Sequence, residues 1–153
     1  MTQETPPPVR VLIVEDEVII AMEIQLRLEN AGFEVCGIAA TGEKAILAAR
    51  EKKTDVILMD ITLRGRMDGL EAAERILADR QTEVIFLSAS ENETVLHRVR
   101  EFAHGRHVPK PFDEVELIAA IRQAAGAGKS GVPALTIRPP FDGPWRSSGV
   151  AGR

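Results

Sequence analysis

Several reactive side chains in the 153-residue sequence stand directly after apolar runs. Glu15 and Asp16 follow VRVLIV, Asp60 ends DVILMD, Ser88 follows EVIFL, and Lys110 comes just after a short segment ending at Val108. An ionised carboxylate beside buried apolar residues costs free energy unless it is solvated, paired or metal-bound. Asp60 taken singly could simply begin a loop. Three carboxylates brought together are a different matter: two unit charges about 4 Å apart at an effective dielectric near 20 repel by about 4 kcal/mol. Glu15, Asp16 and Asp60 at that spacing need a cation. Oxygen ligands with no His or Cys beside them favour Mg²⁺, which takes one or two carboxylates and keeps waters that a phosphate can replace. Lys110 adds a point charge suited to phosphate oxygen, and Ser88 adds a hydroxyl donor. The set is suited to a phosphoryl group.

These residues can meet only if the elements before them point one way. Strand-like VRVLIV (9–14) is followed by a helical pattern over VIIAMEIQLRLENA (18–31), Gly32 as a stop signal, and a second strand over FEVCGIA (33–39). Thr41 precedes the helical GEKAILAAREKK as a cap, and DVILMD reads as a short strand covered on both faces. Asp68 caps GLEAAERILAD, EVIFL (83–87) is a fourth strand, and ENETVLHRVREF places Val95, Leu96, Val99 and Phe102 on one helical stripe. A short strand near 106–108 leads through a Pro-Lys-Pro turn to Asp113, which caps EVELIAAIRQAA with Val115, Ile118 and Ile121 expected on its inner side. Five strands alternating with five helices predict an α/β fold, a doubly wound parallel sheet with helices on both faces. In the flavodoxin-like order 2-1-3-4-5, strands one and three are neighbours at the topological switch point, where such sheets hold ligands. Glu15, Asp16 and Asp60 then converge on one edge with Ser88 and Lys110 nearby.

Composition narrows the classes further. Hydrophobic content of 44% with 27% charged residues suits one globular domain. No apolar run approaches a membrane span, and the sole cysteine, Cys36, can form neither an intrachain disulfide nor a cysteine-based metal site, which fits a reducing cytoplasm. Of the net charge of −4, residues 126–153 contribute +3 (Lys129, Arg138, Arg146 and Arg153 against Asp142), leaving −7 on residues 1–125. An acidic body argues against binding a nucleic-acid backbone. The expected organisation is a disordered, proline-bearing leader over 1–8, a domain over 9–125, and a Gly/Pro-rich tail over 126–153 with no second domain. Phe141 and Trp145 are apolar anchors that a purely solvating tail would not need, so a peptide arm docking on this protein or a neighbour stays open beside simple disorder.

Taken in order, EDE (15–17), LMDITL (58–63), LSAS (87–90) and KPF (110–112) resemble the receiver domain of two-component response regulators, CheY-like in form, across residues 9–125. The resemblance implies that Asp60 is the phosphoacceptor, charged by a histidine kinase or a histidine phosphotransfer protein. It implies Mg²⁺ held by Asp16 directly, Glu15 through water, Asp60 and the Thr62 carbonyl, with Ser88 and Lys110 on the phosphoryl oxygens. It implies a cis bond before Pro111 and output through contacts of the fourth helix, fifth strand and fifth helix with a downstream protein. Three features depart from the family pattern. His107 stands where an aromatic usually does, the loop LRGRMDG lacks a proline and is one residue longer, and Pro109 removes a donor from the fifth strand.

Rival classes fit less well. A phosphatase of the haloacid dehalogenase type needs a second Asp two residues after the first, where this chain has Thr62. A nucleotide-binding enzyme needs a glycine-rich turn after strand one, where this chain has EDEV. The expected function is therefore that of a single, non-enzymatic receiver phosphorylated on Asp60 and acting through protein contacts. A phosphorylation-independent binding module of the same fold is the alternative, and a homodimer stays open.

Overall fold

A computed structural model describes residues 6–89, 92–102 and 106–130, with side chains described to Gly126. The elements run β1 (Arg10–Val14), α1 (Val18–Asn30), β2 (Glu34–Ala39), α2 (Gly42–Glu51), β3 (Val56–Asp60), α3 (Gly69–Asp79), β4 (Glu83–Ser88), α4 (Glu93–Arg100), β5 (Arg106–Pro109) and α5 (Glu114–Ser130). All strand pairings are parallel and the order is β2-β1-β3-β4-β5, the α/β arrangement expected from the alternating pattern. Among the described residues no helix is long and apolar enough to cross a membrane.

The central strands explain the layering. Alternate residues of β1 and β3 point to opposite faces. Leu12, Val14, Ile57 and Met59 join a core with Ala45 and Ala49 of α2, Leu70 and Ile76 of α3, and Val99 of α4. Val11, Ile13, Val56 and Leu58 join a second core with Ile24 and Leu28 of α1 and Leu117, Ile121 and Ala124 of α5. The continuous apolar runs are thus required by burial on both sides, each fully buried large side chain contributing roughly 1.5–3 kcal/mol.

Local signals set the boundaries. Thr41 Oγ1 accepts from the Lys44 amide at 3.1 Å, Asp68 Oδ1 from the Glu71 amide at 2.8 Å, and Asn92 Oδ1 from the Thr94 amide at 2.8 Å. Asp113 Oδ1 accepts from the Val115 amide at 3.2 Å at the start of α5. Gly32 adopts φ +98° just after α1, a conformation that costs glycine little.

Two expectations change on the last helix. Val115 is 72% exposed, and the face against the sheet is formed by Leu117, Ile121 and Ala124, with Ile118 only partly buried. Steps of three residues drift about 60° each around an α-helix, so Val115 lies about 120° from Ile121. Helix α5 also continues past Ala125 to Ser130 through Gly126 and Gly128. Ala124 and Ala125 anchor that turn in the core, and extending an existing helix adds a hydrogen bond for each residue fixed without a new nucleation cost. Residues 1–5 of the expected leader and 131–153 of the expected tail lie outside the described residues.

Candidate functional site: an acidic sheet edge

The carboxyl ends of β1 and β3 are neighbours, with Val14 paired to Met59. The chain leaves β1 at Glu15 just as β3 ends at Asp60. Ligand oxygens of Glu15, Asp16 and Asp60 lie within 4.8 Å of one another. Glu15 and Asp60 are 2% and 3% exposed, so this negative charge is held away from bulk water.

Backbone and side-chain donors fix the cluster. The Glu17 amide donates to Glu15 Oε2 at 3.1 Å. The Thr62 amide and hydroxyl donate to Asp60 Oδ1 at 3.0 and 3.2 Å. Lys110 Nζ lies 3.1 Å from Glu15 Oε1 and 3.3 Å from Asp60 Oδ2, tying both carboxylates to one cation. Lys110 follows β5, and its amide donates to the Ser88 carbonyl at 2.9 Å, which brings the ends of β4 and β5 together. The Lys110–Pro111 peptide is cis. Ser88 is buried at the tip of β4, one residue beyond Leu87, the partner of Asp60 across the sheet. Glu15, Asp16, Asp60 and Lys110 are thus gathered directly, with Thr62 on Asp60 and Ser88 one strand away.

The electrostatics follow from burial and proximity. Burial, together with the charge of Asp60, pushes the Glu15 carboxyl above its ordinary value against the opposing pull of the Glu17 amide and Lys110. For Lys110, burial is the largest single influence and lowers its affinity for a proton, yet the summed attraction of Asp60 and Glu15 wins and raises it. Lys110 is therefore a cation throughout the neutral range. The donor set tests well against a hard divalent ion: three carboxylates, oxygen only, with one lysine compensating only part of the charge.

Two contributors were not expected from sequence. Arg64 lies at the rim, with its amide 3.2 Å and its Nε 3.3 Å from Asp16 Oδ2. It comes from the loop before α3, where Gly65 takes φ +104°. The arginines flanking a glycine in LRGR were the available signal. Gly69, the first residue of α3, donates its amide to the Ile61 carbonyl at 3.0 Å, and a Cβ there would stand 2.1 Å from the Asp60 carbonyl oxygen. The helix start is pressed against the backbone that carries Asp60, which only glycine permits.

Known proteins share this framework. The chain is 35% identical over 117 residues to the transcriptional regulatory protein PdtaR of Mycobacterium tuberculosis (strain CDC 1551), covering 76% of this chain and 57% of that protein. It therefore spans little more than half the length of that relative. It is 29% identical over 117 residues to the chemotaxis protein CheY of Thermotoga maritima, covering 76% of this chain and 97% of CheY. Among solved structures, the signal receiver domain of a modulated diguanylate cyclase from Desulfovibrio desulfuricans G20 superposes with a TM-score of 0.75 at 31% identity, over 80% of this chain and 97% of that one. The family model of the response regulator receiver domain matches residues 11–122, and the chain belongs to that family of two-component signalling domains.

Proposed function

We propose that this receiver is switched by a phosphoryl group carried on Asp60, received from a phosphohistidine of a histidine kinase or a histidine phosphotransfer protein. The supporting observation is the bridging of Glu15 and Asp60 by Lys110 within a cluster of three carboxylates, a site short of positive charge. Receiver domains bind Mg²⁺ at an acidic site. Here Asp16 and Asp60 would hold it directly, Glu15 through water, and the Thr62 carbonyl would complete the protein ligands. The ion, when bound, supplies charge neutralisation at the transferring phosphoryl group.

The protein's own residues do the rest. Asp60 Oδ attacks phosphorus in line as the P–N bond to the donor imidazole breaks, leaving an acyl phosphate on Asp60 and the imidazole free. The Thr62 donors and Lys110 keep the carboxylate oriented before transfer. Lys110 and the Ser88 hydroxyl then hold phosphoryl oxygens. The added charge and acceptors draw the β4 tip inward and bias the α4–β5–α5 surface that meets a downstream protein. Moving a population from mostly inactive to mostly active requires on the order of 5 kcal/mol of differential contact. The chain acts by protein contacts rather than by turnover, in the cytoplasm, without nucleic acid.

Incubation with a small phosphodonor tests this reading. With Mg²⁺ the wild type gains an acid-stable, base-labile phosphate, while without Mg²⁺ or with Asp60→Asn it gains little. Equal incorporation by Asp60→Asn, or none by the wild type, would overturn it.

A further inference from the structure

The three carboxylates of the acidic edge do not share their positive charge equally. Lys110 Nζ, on a side chain 20% exposed, pairs with Glu15 and Asp60, both of them enclosed. Asp16 is left out of that arrangement. Its ion-pair partner is Arg64, whose Nε stands 3.3 Å from Asp16 Oδ2 on a side chain 81% exposed, and among the described residues Asp16 has no other. Arg64 also donates its backbone amide to the same oxygen at 3.2 Å. That amide contact belongs to the loop, where Gly65 turns the chain at φ +104°, and any residue but proline at position 64 can make it. The guanidinium contact belongs to the side chain alone. An exposed ion pair gains only modest Coulomb energy in water, so this arm can withdraw at small cost. Withdrawal of Lys110 would instead strand two buried carboxylates.

We propose that Arg64 is a resident, exchangeable cation at the metal site: its guanidinium pairs with Asp16 in the ion-free protein, opposes Mg²⁺ binding, and so raises the free Mg²⁺ concentration at which the receiver can accept a phosphoryl group. The inference rests on the proposed role of Asp16 as a direct Mg²⁺ ligand. Charge carries the argument. Glu15, Asp16 and Asp60 in ionised form are opposed by two cations, Lys110 and Arg64. Lys110 and one divalent ion already neutralise the three carboxylates in full, which leaves the guanidinium as excess positive charge. At 3.3 Å from Asp16 Oδ2 it both competes for that oxygen and repels an arriving cation. Of the two cations only Arg64 is exposed enough to yield its place. Arg64 thus acts on the acceptor through Asp16, as a positioning residue. Arg66, on the other side of Gly65, supplies an internal comparison: it is exposed, and no ion pair among the described residues includes it.

Titration of the full chain with Mg²⁺, followed by amide NMR with no phosphodonor present, reads the affinity directly. Arg64→Gln, which keeps the backbone amide contact, should bind Mg²⁺ roughly two- to five-fold more tightly than the wild type, the range expected for an exposed ion pair. Arg64→Glu should bind more tightly still, and Arg64→Lys should stay close to the wild type. Arg66→Gln should change the affinity less than Arg64→Gln does, and the advantage of Arg64→Gln should shrink as salt is raised. A role confined to loop structure would not order the affinities by charge, nor would lysine restore it. Equal affinities across the Arg64 series, weaker binding by Arg64→Gln, or equal gains from Arg64→Gln and Arg66→Gln would overturn the inference and leave the Asp60 reading intact. A wild type that binds no Mg²⁺ would overturn it together with the metal site on which it rests.

Discussion

Strands β3 and β5 lie one strand apart in the same sheet and are built on opposite principles. All five residues of β3 are buried, four of them apolar and packed from both faces, and the polar group comes only at the tip, as Asp60. β5 has four residues, of which only Val108 is a buried apolar side chain. Arg106 is buried and paired with Glu83 at 2.6 Å, and Nε2 of His107 is buried without a hydrogen-bond partner among the described residues. Pro109 offers no amide to the sheet. The centre holds the Asp60 carboxylate on a strand packed from both faces; the edge, assembled from groups that are expensive to bury, is the element that can rearrange at modest cost.

The largest expected difference comes from deleting apolar volume at the centre. Leu58→Ala should lower the unfolding free energy by about 2–5 kcal/mol in urea titrations. A loss under 1 kcal/mol would mean that β3 is not the rigid strand described. At the edge, Glu83→Ala leaves a buried guanidinium unpaired and should cost about 3 kcal/mol, near the low end for such a break because Glu83 is partly solvated. Glu83→Ala/Arg106→Met should recover most of that loss, showing that the pair contributes little net stability; failure to recover would make it a true stabilising element. Gly69→Ala, which forces the α3 start away from the Asp60 carbonyl, should cost about 1–3 kcal/mol and slow phosphoryl uptake. Unchanged uptake would show that the acceptor tolerates displacement of its backbone.

The smallest effect depends on pH. Burial holds the His107 imidazole below its ordinary pKa of 6.5. As pH falls below 6.5 the unfolded chain binds a proton there that the folded chain resists, so stability declines through that window and is unaffected above it. Urea midpoints measured on either side of 6.5 should therefore separate in the wild type by more than in His107→Phe. Equal separations would show that this histidine titrates normally in the folded protein.

The apolar runs of β1, β3 and β4, and the residues directly after them, were readable because strands buried on both faces have continuous apolar sequences and a parallel sheet aligns their ends. Arg64 and Gly69 were not readable in the same way. Their roles depend on how the β3–α3 loop folds back over Asp16 and Asp60, which side-chain type alone does not encode. Val115 illustrates a second limit: two overlapping stripes on α5 each have helical spacing, and only contact with the sheet selects between them. Helix α1 illustrates a third. Its sequence is apolar nearly all round, so the inward face could not be assigned before Ala21, Ile24 and Leu28 were seen against the sheet.

Trapping the acyl phosphate tests the central claim most directly. After exposure to a phosphodonor with Mg²⁺, borohydride reduction converts an aspartyl phosphate to homoserine, and peptide mass spectrometry locates it. The account predicts homoserine at residue 60 and nowhere else. Homoserine at Asp16 or another aspartate, or Asp60 recovered unchanged from protein that carries base-labile phosphate, would contradict it.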